Sequence, residues 1–289
     1  MASFDKTTFG KEVVLEFQNK VKGKTCTFHL HLLLDVPVSD YSIFLVVVIT
    51  GPSAGGLGAQ TAIFLAQAQP AEIILLGRTE SKVTSVIDEI KSTSPETSVK
   101  FIQVNLDSFS SIRSAADAVN KSVKKIDVLI NNAGIMYVKD FTLTGEGIEA
   151  HLSSNHVGHF LLTNLLLPKI LAAGKGARIV NLTSSAHVVS PMRFNDYHFD
   201  NGRTYDPWLA YGQSKTANIL FTTALAAKLA SKGILAFAVH PGIITTNLAS
   251  HIDYSEFPKL VKLYEDNGTY QIYPPETDAH YYRRSNTRV

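Results

Sequence analysis

The chain lacks the raw material for several familiar kinds of protein. Its 289 residues hold a single cysteine, Cys26, so no intrachain disulfide can form and a reducing compartment is expected. Charge of one sign is also scarce. Charged residues make up 18% and the net charge is +2. There is no dense Lys/Arg stripe, and Lys121, Lys124 and Lys125 read as a solvated helix end, so nucleic acid is not an expected partner. The most apolar region, Phe28 to Ile49, is interrupted by Asp35, Pro37, Asp40 and Ser42. Its unbroken runs fall well short of the ~20 residues that span a bilayer, and no membrane anchor is expected. The opening Met1-Ala2-Ser3-Phe4-Asp5 has no basic start followed by an apolar stretch. No signal peptide is read there, and a cytoplasmic location is expected. His29 and His31 have no companion ligands at zinc-like spacing, so no metal is expected.

What is present is a core-forming chain with 45% apolar residues. From residue 44 short apolar runs alternate with helical patterns. Strands are predicted at Phe44–Thr50, Glu72–Leu76, Val99–Val104, Ile126–Ile130, Arg178–Thr183 and Ile234–Val239. Helices are predicted at Gly56–Ala68, Glu80–Lys91, Ser110–Val123, Gly147–Leu171 and Pro207–Ser231, the last capped by Asp206. The strands read as continuous apolar runs rather than alternating ones, which implies cover on both faces. Helical crossovers between them imply a parallel sheet. The expected fold is α/β, a Rossmann-like doubly wound parallel sheet with helices on both faces.

The first strand runs into Thr50-Gly51-Pro52-Ser53-Ala54-Gly55-Gly56-Leu57-Gly58 and then a helix. Glycines there let backbone approach a pyrophosphate, whose charge meets free N–H groups at the helix start. The second strand ends in Gly77-Arg78, with no acid at the position that usually binds the adenosine ribose of NAD. Arg78 can pair with a 2′-phosphate instead, so NADP is expected ahead of NAD. Further on, Tyr211 and Lys215 stand one helical turn apart. An ammonium beside a phenol favours the phenolate. Bringing a tyrosine from about 10 to near 7 takes about 4 kcal/mol, and the expectation is that Lys215 supplies most of it. His151, His156 and His159 share one helix and read as packing or capping groups.

With these motifs in order, the chain from Val47 to Leu248 resembles the short-chain dehydrogenase/reductase family, nearest its retinol-dehydrogenase-like and fungal secondary-metabolite branches. The resemblance rests on the glycine turn, Asn131-Asn132-Ala133-Gly134, Asn155 within Asn155-His156-Val157-Gly158-His159-Phe160, Leu182-Thr183-Ser184-Ser185-Ala186-His187, Tyr211 with Lys215, and His240-Pro241-Gly242-Ile243-Ile244-Thr245-Thr246. It implies a catalytic tetrad of Asn155, Ser184, Tyr211 and Lys215, with Tyr211 as proton donor or acceptor. Ser184 would polarise the carbonyl oxygen, Lys215 would also bond the nicotinamide ribose, and Asn155 would hold a relay water. It further implies cofactor contacts from Gly51, Ser53, Gly55, Gly56, Leu57, Gly58, Arg78, Asn132, Ala133, Gly134, Pro241, Gly242, Ile244 and Thr246. Asn105-Leu106 would lie beside the adenine, where Asn replaces the family's usual Asp. Either Gly55 or Gly56 could be the middle glycine of the turn, which is one residue longer than usual. A homodimer through the two long helices is a further implication.

The implied activity is NADP-dependent interconversion of a ketone or aldehyde and an alcohol on an apolar small molecule, in secondary metabolism. The alternatives are a catalytically silent NADP-binding sensor or partner protein, and a defective truncated reductase. Three regions are expected: an extension over 1–43, a catalytic domain over 44–247, and a lid with an atypical tail over 248–289. Phe257, Leu260, Val261 and Tyr264 are placed on the apolar face of that lid. The tail offers no convincing seventh strand. Residues 26–46 read as translated intron or a gene-model error, because their removal joins Gly23-Lys24-Thr25 to Val47-Val48-Ile49-Thr50-Gly51, a normal family start.

Overall fold

The apolar runs at Val46–Thr50, Glu72–Gly77, Val128–Asn131 and Arg178–Leu182 are mainly buried on both faces, while Ser98–Gln103 and Leu235–Val239, expected to be covered likewise, are partly exposed. The computed structural model describes residues 45–242, 244, 246–249, 252 and 254–266. The extension over 1–43, nearly all of the 26–46 segment, and the tail from 267, where no convincing seventh strand is expected, lie outside the described residues.

Six strands form one parallel sheet. They are β1 (Val46–Thr50), β2 (Glu72–Gly77), β3 (Ser98–Gln103), β4 (Val128–Asn131), β5 (Arg178–Leu182) and β6 (Leu235–Val239), in the spatial order β3-β2-β1-β4-β5-β6. The chain reverses direction across the sheet between β1 and β4. In such sheets, ligands bind beyond the carboxyl ends of the strands at that switch point. The helices are α1 (Leu57–Ala66), α2 (Thr84–Thr93), α3 (Phe109–Ser122), α4 (Ala150–Leu152), α5 (Gly158–Ala173), α6 (Pro207–Leu229) and α7 (Phe257–Asp266).

Successive residues of β1 enter opposite cores. Val47 and Ile49 pack with Ala62, Ile63, Val86 and Ile90 of α1 and α2. Val48 packs with Ile112 of α3, Leu162 and Leu166 of α5, and Leu225 of α6. A strand covered on both faces has no reason to carry polar residues at every second position. Buried amides stitch the second core. Asn131 Nδ2 donates to Thr163 Oγ1 at 2.9 Å and to Asn181 Oδ1 at 2.8 Å, and Asn181 Nδ2 donates to Thr222 Oγ1 at 2.9 Å.

Three element boundaries differ from the sequence reading. The long helix begins at Ala150, not Gly147, because Gly147 adopts a positive φ of 72° and Glu149 caps the helix by accepting from the His151 and Leu152 N–H groups. Between α4 and α5, Ser153–Val157 winds as a π-helix, a local widening often found at functional sites. The predicted helix from Glu80 is a 3₁₀ turn, Glu80–Lys82, followed by α2. Among the described residues, no helix is long and apolar enough to cross a membrane.

Candidate active site

A cleft of about 930 Å³ lies over the carboxyl ends of β1, β2 and β4. That is near the upper end of small-molecule sites. Its floor depends on close backbone approach. A Cβ on Gly58 would lie 2.4 Å from the Gly51 carbonyl oxygen and 2.5 Å from Asn132 Nδ2, so only glycine lets α1 start against β1. Of the two candidate middle glycines, Gly56 lines the cleft and stands at the N-cap of α1, while Gly55 makes the bend with φ 75°. Gly51, Ser53, Gly56 and Leu57 thus surround the α1 N-terminus, whose free N–H groups suit a pyrophosphate.

Arg78 lines the same cleft, and the structure adds Thr79 and Lys82. The 3₁₀ turn after Arg78 carries Lys82 round, and the Lys82 carbonyl accepts the Ala54 N–H at 2.9 Å. Sequence reasoning missed Lys82; its spacing of one turn beyond Arg78 was the available signal.

Leu106 lines the cleft with Val104, but Asn105 does not. Its Oδ1 accepts the Asp107 N–H at 3.2 Å, a local Asx turn. Asn132, Ala133, Gly134 and Thr246 line the cleft as expected. Pro241 instead closes a small neighbouring pocket with Leu57, Asn132 and Leu182. Gly242 and Ile244 are exposed and do not line the cleft. Ile243 and Thr245 lie outside the described residues.

Thr50 fixes the loop after β4. Its hydroxyl oxygen accepts the Asn132 and Ala133 N–H groups, both at 2.9 Å. Its own proton then points to His159 Nε2 at 2.8 Å, while His159 Nδ1 meets the Asn155 carbonyl at 3.0 Å. Both contacts call for neutral imidazole, and burial pushes this histidine down to about 4.

The expected tetrad assembles at the Gly134 end of the cleft. Asn155, in the π-helical turn, grips Ile135 with both ends of its amide: Oδ1 accepts the N–H at 2.8 Å and Nδ2 donates to the carbonyl at 3.0 Å. Nδ2 also reaches Ser214 Oγ at 2.9 Å, so the side chain braces the cleft wall against α6. A Cβ on Gly134 would lie 3.1 Å from Asn155 Oδ1 and 3.6 Å from Lys215 Nζ. Lys215 Nζ stands 5.4 Å from the centre of the Tyr211 ring and donates to the Leu182 carbonyl at 3.3 Å.

Three consecutive hydroxyls divide the neighbourhood. Thr183 Oγ1 donates to the Lys215 carbonyl at 2.9 Å. Ser184 hydrogen-bonds Tyr211. Ser185 Oγ meets the Tyr264 hydroxyl of α7 at 3.0 Å. Ser185 escapes strict strand alternation because Ser184 is the N-cap of a 3₁₀ helix, Ser185–Val189, and the chain has already turned. The face of α7 carries Phe257, Leu260 and Leu263 onto Trp208 and Tyr137. Val261 does not join that cluster, and Leu263 takes the place expected of it.

The electrostatics correct one expectation. Tyr211 is not acidified by Lys215. Burial pushes the phenol up to about 12, only partly opposed by the Ser184 hydrogen bond, and the nearby Tyr264 raises it further. Burial also pushes the Lys215 amine down to about 8. In a site this dry, loss of hydration outweighs the pair's attraction at this separation. The protein's own groups therefore keep Tyr211 protonated at neutral pH.

The comparisons with known proteins agree with this geometry. The model of the short chain dehydrogenase family matches residues 45–198. Oxidoreductase fscI of Fusarium equiseti is 36% identical over 264 residues, covering 83% of this chain and 94% of that protein. Retinol dehydrogenase 12 of Bos taurus is 40% identical over 206 residues, 71% of this chain but 63% of that protein, so the match spans less than two thirds of its length. Among solved structures, an uncharacterised protein from Mycobacterium paratuberculosis is 38% identical, with a TM-score of 0.59 and coverage of 83% of this chain and 80% of that one. Pseudomonas aeruginosa RhlG, solved as an NADP complex, has the same TM-score at 22% identity, covering 74% and 78%; that likeness concerns the fold alone. The chain belongs to the short-chain dehydrogenase/reductase family. It is an oxidoreductase of alcohol and carbonyl groups on small molecules, and its cleft is that of a nicotinamide dinucleotide.

Proposed function

We propose that the protein is an NADP-dependent reductase that converts a ketone or aldehyde on an apolar small molecule to the alcohol, with Tyr211 as general acid. The observation that carries this is the meeting of Ser184, Tyr211 and Lys215 beside Gly134, where the dinucleotide cleft ends. A bound nicotinamide dinucleotide supplies the hydride. Tyr211, protonated at neutral pH, gives its proton to the carbonyl oxygen as negative charge develops there. Ser184 hydrogen-bonds the same oxygen and stabilises that charge. Lys215, with its proton held at about 8, is positioned to return charge balance to the site after Tyr211 has given its proton away. Asn155 keeps Ile135 and α6 at a fixed separation. Oxidation of an alcohol is the same path reversed.

NADP is preferred to NAD because Arg78 and Lys82 place two cations at the cleft end beyond β2, where an acid would be needed to favour NAD. The apolar character assigned to the substrate follows from the lid, α7, whose Phe257, Leu260 and Leu263 close against Trp208 and Tyr137. A role in secondary metabolism, a cytoplasmic location, a dimer through α5 and α6, and division into a catalytic unit over 44–247 with a lid from 248 belong to the same reading.

The test is NADPH consumption across a panel of ketones and aldehydes, with Tyr211→Phe as control. Turnover that Tyr211→Phe lowers by about a hundredfold or more, to a small but measurable residual rate, supports the enzyme. Tight NADPH binding without turnover on any compound points to a sensor instead. Arg78→Ala should weaken NADPH binding by roughly tenfold or more and NADH binding by less than about twofold; equal loss for both would remove the NADP assignment.

A further inference from the structure

Against the Tyr211 ring lies a buried acid–base pair for which the chemistry above has no use. Glu149 and His151 are both fully buried. Glu149 Oε1 accepts from His151 Nδ1 at 2.8 Å and from the His151 backbone N–H at 3.0 Å, and Oε2 accepts the Leu152 N–H at 2.9 Å. On the far side of the imidazole, Nε2 accepts the Val138 N–H at 3.0 Å. A backbone N–H can only donate, so Nε2 must present its lone pair, and the ring proton sits on Nδ1 facing the carboxylate. Two neighbours thus dictate one neutral tautomer and one ring orientation.

The same Val138 is held from its other side. Its carbonyl accepts from the Tyr205 hydroxyl at 2.6 Å. Burial, then the charge of Glu149, keeps that phenol protonated well above its usual range, so it stays a donor. Val138 lines the dinucleotide cleft. The oriented imidazole meets the Tyr211 ring edge to face, with centroids 6.2 Å apart at 66°. Helix capping explains the glutamate, and a smaller capping residue would serve as well. It does not explain a histidine whose ring spans from that cap to the cleft wall and rests on the reacting phenol.

We propose that His151, oriented by Glu149, is a positioning residue for Tyr211. It fixes the attitude of the phenol relative to the cleft wall at Val138, and so the line along which the proton is delivered. The proposal rests on Tyr211 being the general acid. Proton transfer is steep in geometry, and a shift of about 1 Å at a reacting group can cost about a hundredfold in rate.

The experiment is a double-mutant cycle on the full chain. His151→Leu and His151→Gln are each made alone and together with Tyr211→Phe. Dinucleotide affinity is read by fluorescence titration, and kcat is read in H₂O and D₂O. His151→Leu is expected to hold NADPH affinity within about twofold, lower kcat by roughly tenfold or more, and raise the solvent isotope effect as proton delivery becomes slower. The glutamine carbonyl can still accept the Val138 N–H, so His151→Gln should recover part of kcat. If His151→Leu does not fold, the glutamine variant carries the same cycle. With Tyr211→Phe present, the histidine change should add no further loss, because both act through one group. Additive losses, or an unchanged isotope effect, would show that His151 only packs. A rate in Tyr211→Phe alone close to that of the wild type would overturn the general-acid reading, a separate outcome from failure of the positioning role.

Discussion

Lys215→Met should make this protein more stable and inactive at once. Lys215 is 4% exposed, and burial holds its amine at about 8, against 10.5 when hydrated. At pH 7 both folded and unfolded chains carry the proton, so the native state bears the full cost of a buried charge. A shift of this size corresponds to about 3 kcal/mol. Methionine keeps most of the volume without the charge. The lost hydrogen bond to the Leu182 carbonyl is long, and that oxygen keeps the Asn218 Nδ2 donor at 3.0 Å. A net gain of about 2–3 kcal/mol remains, roughly 5 °C in melting temperature for a chain of this size. The pH dependence identifies the cause. Between 8 and 10.5 the unfolded chain binds the proton more tightly than the native one, so wild-type stability climbs with pH across that window. The advantage of the variant is therefore complete at pH 7, shrinks from about pH 8 upward, and is gone near 10.5. Tyr211 titrates in the opposite sense, its contribution falling above pH 10, but in both proteins alike. Urea denaturation at pH 7, 8.5 and 10 reads the difference. A variant no more stable than wild type at pH 7, or a difference constant across that range, would refute the desolvation argument.

Gly58→Ala drives a methyl group into the Gly51 carbonyl and Asn132 Nδ2, so NADPH affinity should fall by more than about tenfold in a titration. Tyr264→Phe removes the hydroxyl that holds α7 to Ser185 while keeping the ring; the KM of the carbonyl substrate should rise about fivefold with NADPH affinity unchanged, as loss of one hydrogen bond near 1 kcal/mol implies. Asn181→Ala leaves Asn131 Nδ2 with one partner fewer and Thr222 Oγ1 without its donor in a dry core, and should cost about 3 kcal/mol in chemical denaturation, with the fold kept.

The sheet was legible because its signal is redundant. Every strand but β3 carries an apolar run, the crossovers carry a helical period, and the glycine turn falls where one feeds the other. The grouping of Ser184, Tyr211 and Lys215 was legible for a different reason: Tyr211 and Lys215 stand one helical turn apart, and Ser184 falls at the end of a strand the same sheet brings beside them. What could not be read depends on where a side chain is held. Asn105 stands where an adenine contact is expected, yet its amide closes an Asx turn onto Asp107. Lys82 reaches the cleft through a 3₁₀ turn that helical propensity alone reads as the start of α2. Glu149 looks like one acid among several before a helix, and only the fold shows it capping that helix from a fully buried position.

The sequence also misjudged the sign of the Tyr211 shift, and the reason bears on function. One helical turn brings Lys215 and Tyr211 to the same face, and attraction between ammonium and phenolate was the expected consequence. The same packing that pairs them removes water from both, and dehydration penalises whichever group is charged. The pair therefore settles with the phenol protonated and the amine close to giving up its proton near pH 8. A phenolate formed by donation to a substrate oxygen would lie beside an amine that, at neutral pH, still carries a proton at a cost. Charge formed on Tyr211 relieves the isolation of charge on Lys215, so the expense of burying the amine is partly recovered in the step that needs it. On this reasoning the native enzyme works best where Tyr211 and Lys215 are both protonated. The rate of carbonyl reduction should fall as pH rises through about 8, where the Lys215 amine loses its proton and no longer offsets the charge formed on Tyr211. A reduction profile flat from pH 7 to 9.5 would separate the amine from the proton-transfer step.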